Sequence, residues 1–402
     1  MKKASINEWL ERGVENIYPS SNYFSKILKS KKKISIYLGI DATGSQLHLG
    51  HSTNFFILRK LQDLGHKIII LVGDFTAMIG DPTDKMATRQ PLTRKEVLKN
   101  CQTYQEQAEK ILQFSGKNPV KIAFNSKWLS KLVFSDLVEI ASHLTVQQLL
   151  SRDMFQKRLQ EKKQIALHEF LYPLMQGYDS VAMEIDAEMG GNDQTFNMLV
   201  GRDLTKRILN KEKIVIATRL LENPKTGKKM MSKSEGDFIA LNDSPQEMFG
   251  KVMSLPDENI LPCFNLCTDL PTDEIRKIEN DLKKGANPRD IKIKLANEIV
   301  AIYHSIEYAK NAEAEFNRIF KDKEIPFDIP VFKIKSGKCV GIIELLKITD
   351  LCESKGEARR ILLQGGVRID KSKITDVNGK ICVHNGMIIQ AGKRRFVKIN
   401  LL

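Results

Sequence analysis

What the 402-residue chain lacks narrows its reading first. No apolar run approaches the ~20 uninterrupted residues that a membrane helix needs, so no spanning segment and no membrane partner are expected. The N-terminus, Met1-Lys2-Lys3-Ala4-Ser5-Ile6-Asn7-Glu8, leads into polar and acidic residues without the apolar core of a secretory leader. A cytoplasmic protein is the expectation. Six cysteines (101, 263, 267, 339, 352 and 382) form no Cys-x-x-Cys pair and no metal-ligand spacing with histidine. They read as reduced cytosolic thiols, and no protein-bound metal is expected. No internal repeat and no low-complexity tract is present.

Acidic residues are also in deficit. Sixty-three Lys and Arg face 49 Asp and Glu, a net charge of +14. The excess concentrates in residues 335–402, where 14 Lys and Arg stand against 6 Asp and Glu. A basic C-terminal module points to a polyanionic partner, nucleic acid first. A Lys-rich solvated surface would carry the same excess, so charge alone leaves both readings open. With 42% apolar and 28% charged residues the composition is that of a soluble globular protein, and the length suggests two or three domains.

Continuous apolar runs at 34–40, 68–72, 120–124 and 214–217 alternate with helical patterns. Runs of this kind, apolar throughout rather than alternating, predict a parallel sheet covered on both faces. Residues 1–223 therefore read as a doubly wound, Rossmann-like α/β catalytic domain, with a helical insertion at about 130–170. Ligand is expected beyond the carboxyl ends of its strands. The Gly-, Pro- and Lys-rich stretch 223–229 opens a mobile loop over 224–243. Helical periodicity then fills 244–325, and a Pro-containing linker (326–340) leads to a small α+β module at 341–402. In that module Ser354 is placed to cap a helix ended by Gly365-Gly366, with a short strand after it.

Two tetrads carry the chemistry. His48-Leu49-Gly50-His51 sits where the first apolar strand hands over to a helix, and Met231-Ser232-Lys233-Ser234 lies in the Lys-rich loop. At a strand-to-helix junction backbone N–H groups are unpaired and the helix dipole favours phosphate. Gly50 admits close approach of a nucleotide, and two imidazoles add donors. Either tetrad alone could be an ordinary surface loop. In this order they read as two halves of one ATP site.

The pair resembles the HIGH and KMSKS signatures of class I aminoacyl-tRNA synthetases, with Leu49 in place of Ile and Met230 where the first Lys is expected. Four further segments extend the likeness: 37–43, 73–85, 172–179 (Tyr-Pro-Leu-Met-Gln-Gly-Tyr-Asp) and 190–197 (Gly-Gly-Asn-Asp-Gln-Thr-Phe-Asn). The tail, with Ser354-Lys355-Gly356-Glu357-Ala358-Arg359-Arg360, resembles an alpha-L RNA-binding domain. Together they are similar to the second branch of bacterial tyrosyl-tRNA synthetases. The tryptophanyl family shares the fold and motifs, but lacks an alpha-L tail and an Asp-based phenol site.

The resemblance implies activation of tyrosine by ATP, with Mg²⁺ accompanying the nucleotide, followed by transfer to tRNA(Tyr), in a homodimer. It assigns Tyr37 and Asp179 to the phenolic OH, and Asp81, Tyr172 and Gln176 to the substrate ammonium. Thr76 and Gln194 complete the tyrosine set. Gly39, Asp41, Gly50, Gly190 and Asp193 would contact the nucleotide, with Asp193 on ribose hydroxyls. Thr43, His48, His51, Lys85, Arg89 and Lys233 would surround the phosphates. Lys355, Arg359, Arg360 and Arg368 would bind RNA. Glu188 stands where well-known members carry Gln, so a shifted local hydrogen-bond network and the same reaction are expected.

Overall fold

The computed structural model describes residues 3–81, 92–231, 238–320, 330–334, 339–370, 372–392 and 395–401. Its contacts group into two compact units, Met1–Glu313 and Ala314–Leu402.

The first unit is built on a six-stranded sheet in the order β1-β6-β5-β2-β3-β4. These strands are β1 (Val14–Tyr18), β2 (Ser35–Asp41), β3 (Lys67–Gly73), β4 (Lys121–Phe124), β5 (Ala187–Gly191) and β6 (Ile214–Thr218). β2 to β6 are mutually parallel and β1 is an antiparallel edge. From β2 the chain winds outward through β3 and β4, then returns to the other side of β2 as β5 and β6. The strand order therefore reverses between β2 and β5, the place where open α/β sheets bind ligands. The apolar runs are buried as expected: Ile36, Tyr37, Ile68, Leu71, Val215 and Ile216 are all at most 2% exposed. β1 escaped the sequence reading because Val-Glu-Asn-Ile-Tyr is half polar and its partner lies some 200 residues away.

The helix Leu49–Asp63 follows β2 with His48 as its extended N-cap. It ends at Gly65, whose φ of +87° suits glycine. Helices Leu167–Ala182 and Thr195–Leu209 flank β5. They approach closely because Gly177 and Gly201 face each other; a Cβ on Gly177 would lie 3.2 Å from the Gly201 nitrogen. Beyond β6, helices Pro245–Met253, Ile260–Cys267, Thr272–Lys283 and Pro288–Tyr303 supply the predicted helical stretch.

The second unit holds strands β7 (Val331–Ile334), β8 (Cys339–Gly341), β9 (Val367–Ile369), β10 (Ser372–Ile374), β11 (Lys380–Cys382), β12 (Ile388–Ala391) and β13 (Arg395–Leu401). Five of them form a sheet in the order β10-β9-β12-β13-β7. Helices Ile342–Ile348 and Lys355–Leu363 contribute Leu345, Leu346, Ala358 and Leu362 to its core. Ser354 caps the second helix by accepting from the Glu357 N–H. One expectation is corrected here: Cys339 and Cys382 are joined in a disulfide, whereas all six cysteines were read as free thiols. The two stand directly opposite each other on antiparallel β8 and β11. A separation of 43 residues hid that pairing. Cys101, Cys263, Cys267 and Cys352 remain thiols.

Candidate active site

The first signature tetrad meets the segment that follows the second through the backbone. His48 and Ala240 form an antiparallel bridge, Leu49 N–H donates to Ile239 O (3.2 Å) and Leu241 N–H donates to Leu47 O (2.9 Å). The Phe238 ring lies edge-on to His48, with centroids 5.4 Å apart. Residues 192 positions apart thus sit side by side, and the segment after the second tetrad lies against the first. Lys233 of that tetrad, and Lys85 and Arg89 of the phosphate set, lie outside the described residues.

The hydrogen bonds also fix the role of one nitrogen in each imidazole. His51 Nδ1 accepts from the His48 N–H (3.2 Å), and His48 Nδ1 accepts from the Gly50 N–H (3.1 Å). In a neutral ring the other nitrogen, Nε2, then carries the proton. Burial, with Lys229 nearby, pulls the His51 pKa down to about 4, which keeps the ring neutral at pH 7. The shift has a stability consequence. The unfolded ring, near its ordinary value of 6.5, binds more protons than the native one between about pH 6.5 and 4, so native stability falls as pH is lowered through that window. His51→Ala should flatten the thermal midpoint against pH over the same interval; a profile parallel to wild type would contradict the assignment.

At the carboxyl end of β2, Asp41 is gripped from two sides. Thr76 Oγ1 donates to Oδ1 (2.7 Å) and Tyr172 OH donates to Oδ2 (2.9 Å). Gly39 is exposed, and a Cβ there would meet only the Tyr37 ring at 3.9 Å, so the strand end stays open. Thr43, also exposed, follows in a turn closed by its N–H to Asp41 O (2.8 Å). Gln194 Nε2 donates to Asp81 (2.6 Å), and Gln194 Oε1 accepts from Asn197 (3.0 Å). Asp193 is held by Lys229 at 2.8 Å. Gly190 is tightly packed; a Cβ would lie 3.2 Å from Met198 Sδ.

Asp179 is 3% exposed and accepts from Trp128 Nε1 (2.7 Å) and Asn125 Nδ2 (3.2 Å). Burial pushes its pKa well above the usual carboxylate range. Tyr37 is fully buried and its OH lies 3.0 Å from Ser180 Oγ. Gln176 Nε2 donates to Glu188 (3.0 Å), and Glu188 is ion-paired with the fully buried Lys213. Trp128, Asn125, Ser180 and Lys213 were missed in the sequence. Arg152 was missed too: its guanidinium is mostly buried and lies 4.9 Å from the Phe196 ring and 5.5 Å from the Phe155 ring. Only Lys213 left a trace in the sequence, as a charge placed directly before a wholly apolar strand.

In the second unit Lys355, Arg359, Arg360 and Arg368 are all exposed. Lys355 pairs with Glu344 at 2.6 Å. The helix Lys355–Leu363 displays three of the four cations.

Residues 29–321 match the family described as tRNA synthetases class I (W and Y). The chain is 43% identical to a tyrosine–tRNA ligase of Moorella thermoacetica, over 97% of this chain and 94% of that one. It is 44% identical to tyrosine–tRNA ligase 2 of Clostridium acetobutylicum, over 97% of each. Its fold is similar to that of a C-terminally truncated mitochondrial tyrosyl-tRNA synthetase of Aspergillus nidulans (TM-score 0.64, 21% identity, 79% of this chain and 95% of the other).

Proposed function

Since the chain belongs to the tyrosine–tRNA ligases of the class I synthetase family, we infer that it joins L-tyrosine to ATP, giving tyrosyl-adenylate and pyrophosphate, and passes the tyrosyl group to the 3′ end of tRNA(Tyr). The observation that best supports one ATP site is the backbone bridge between His48 and Ala240. It sets the segment that follows the second signature against the first, next to the β2/β5 reversal of the sheet.

The attacking tyrosine carboxylate is already a nucleophile, so the first step needs no general base. Catalysis rests on positioning and on stabilising charge that develops on the phosphates. The candidate set suits this task because it is rich in donors. His48 and His51 bring ring N–H groups, and Thr43, Lys85, Arg89 and Lys233 add a hydroxyl and three cations. Mg²⁺ accompanying ATP would supply charge neutralisation on the phosphates. Asp193 receives the ribose hydroxyls once Lys229 gives way. Asp41, fixed by Thr76 and Tyr172, orients the adenylate beside Gly39 and Gly190.

Tyr37 and Asp179 read the phenol. A site built to hydrogen-bond that OH rejects phenylalanine because its own buried polar groups would lose their partner. Asp179→Ala should therefore lower the ratio of kcat/KM for tyrosine over phenylalanine by ~5- to 150-fold, the equivalent of about 1–3 kcal/mol for an unpaired buried group. An unchanged ratio would move the phenol site elsewhere. The exposed apolar side chains Val133, Phe134, Val138, Val146, Leu159 and Leu167 cluster in sequence around the helical insertion and support a homodimer through that segment. No helix among the described residues is long and apolar enough to cross a membrane, and ATP and tRNA as substrates imply work in the cytoplasm. ATP–pyrophosphate exchange measured with each amino acid tests the whole reading. Exchange driven by tyrosine is the expected result, and exchange driven by tryptophan alone would overturn it.

A further inference from the structure

Behind the amino-acid pocket lies a charge pair that the reaction itself does not use. Lys213, just before β6, has 0% exposure, and Glu188 on β5 has 2%. The sheet register sets Glu188 beside Tyr37 of β2 and Val215 of β6. Lys213 Nζ reaches three acceptors: Glu188 Oε2, Ser180 Oγ at 2.7 Å and Met198 O at 3.1 Å. An ammonium has three protons and no lone pair, so all three are spent. The space for it exists because residue 201 is glycine; a Cβ there would fall 2.5 Å from Lys213 Nζ. A buried ion pair retained at such close quarters is weak evidence for stability and better evidence for specifying one arrangement.

Two hydrogen-bonded arms leave this pair, one toward each end of the proposed tyrosine site. Along the first, Ser180 must accept from Lys213, since lysine can only donate. Its own proton has Tyr37 OH at 3.0 Å and Glu188 Oε2 at 3.4 Å as acceptors, and the shorter contact favours Tyr37. Tyr37 becomes an acceptor on that side, so its proton is directed away from Ser180, toward Glu188 or a ligand oxygen. Burial and the nearby Glu188 and Asp179 carboxylates raise the Tyr37 pKa, which keeps that proton on the ring. Along the second arm, Glu188 Oε1 accepts from Gln176 Nε2 (3.0 Å), and the amide oxygen of Gln176 is left to accept from a ligand ammonium.

We propose that Lys213 is a positioning residue that sets hydrogen-bond polarity at both ends of the amino-acid site, through Ser180 to Tyr37 and through Glu188 to Gln176. A cation behind the wall makes the phenol end a donor and the amino end an acceptor. The substrate feature it selects is an oxygen acceptor at the para position together with a cationic amine. The inference rests on the tyrosine-activating reading above and names residues which that reading leaves without a role.

Ser180→Ala cuts the first arm while adding no bulk. In ATP–pyrophosphate exchange it should lower the tyrosine/phenylalanine ratio of kcat/KM at least tenfold, through a raised KM for tyrosine, with KM for ATP close to wild type and a somewhat lowered thermal midpoint, since Lys213 loses one acceptor. Lys213→Met combined with Glu188→Gln keeps the buried pair neutral and removes both arms' driving charge. It should lower the same ratio, and should also reduce the preference for tyrosine over 3-(4-hydroxyphenyl)propionate as a competing ligand. An unchanged ratio in folded Ser180→Ala overturns the proposal whether or not the double variant folds. Wild-type exchange with tyrosine is measured first: its absence would remove the functional reading itself, whereas a normal wild type with an indifferent Ser180→Ala removes only the polarity chain.

Discussion

Replacing His51 with alanine should slow adenylate formation by ~30- to 1000-fold while the KM for tyrosine barely moves. The range corresponds to the ~2–4 kcal/mol lost when one preorganised donor to a developing oxyanion is removed. The physical reason lies in the tautomer. His51 spends Nδ1 on the His48 N–H, so Nε2–H is the single polar atom it can offer to phosphate. A neutral donor interacts modestly with ground-state ATP and more strongly with charge that grows as the α-phosphate is attacked, which lowers kcat rather than raising KM. Burial supports the same outcome by keeping the ring uncharged, with its pKa at about 4. The rate between pH 6 and 8 should then show no ionisation belonging to His51. Single-turnover formation of the adenylate is the measurement. A lost tyrosine affinity with an intact chemical step would remove His51 from the phosphate site.

The motif at 48–51 was legible in the sequence because everything it needs is local. An apolar strand, its hand-over to a helix and a stop at Gly65 are read from adjacent positions, and the strand Ser35–Asp41, the helix Leu49–Asp63 and the positive φ at Gly65 bear this out. The parallel sheet was legible for a similar reason, since uninterrupted apolar strands leave few other architectures. The ion pair of Lys213 and Glu188 was not. Its members come from β5 and the approach to β6, and its acceptors from two helices, so only strand register and the Gly177–Gly201 helix contact bring them together. Glu188 was noticed as a departure from the family's writing, but the cation that balances it lies 25 residues on and looked like an ordinary strand-flanking lysine. The same holds for Asp179. On a helix its spacing is equally compatible with a surface carboxylate, and only its bonds to Trp128 and Asn125 reveal a buried acceptor.

The second large effect separates the two halves of the reaction. A chain lacking residues 330–402 should retain tyrosine-dependent ATP–pyrophosphate exchange close to the full-length rate, because every residue assigned to adenylate formation precedes Ser234 and the unit Met1–Glu313 has its own core. Charging of tRNA should fall steeply. The lost module carries Lys355, Arg359, Arg360 and Arg368 on its surface, and the one ion pair holding Lys355, to Glu344, is exposed and therefore easily exchanged for a phosphate. Cations of this kind contribute mainly sequence-independent contacts. Each phosphate neutralised adds ~0.7–0.9 to the slope of log affinity against log salt, so four contacts are equivalent to a slope of roughly 3–4. Between ~50 and ~200 mM salt the tRNA KM of the full chain should rise about 100-fold more than that of the truncated one. Selectivity for tyrosine over phenylalanine, set by Tyr37, Asp179 and the residues behind them, should not change. Aminoacylation at full rate by the truncated chain, with the same tRNA KM and the same salt slope, would mean that the basic module does not bind tRNA.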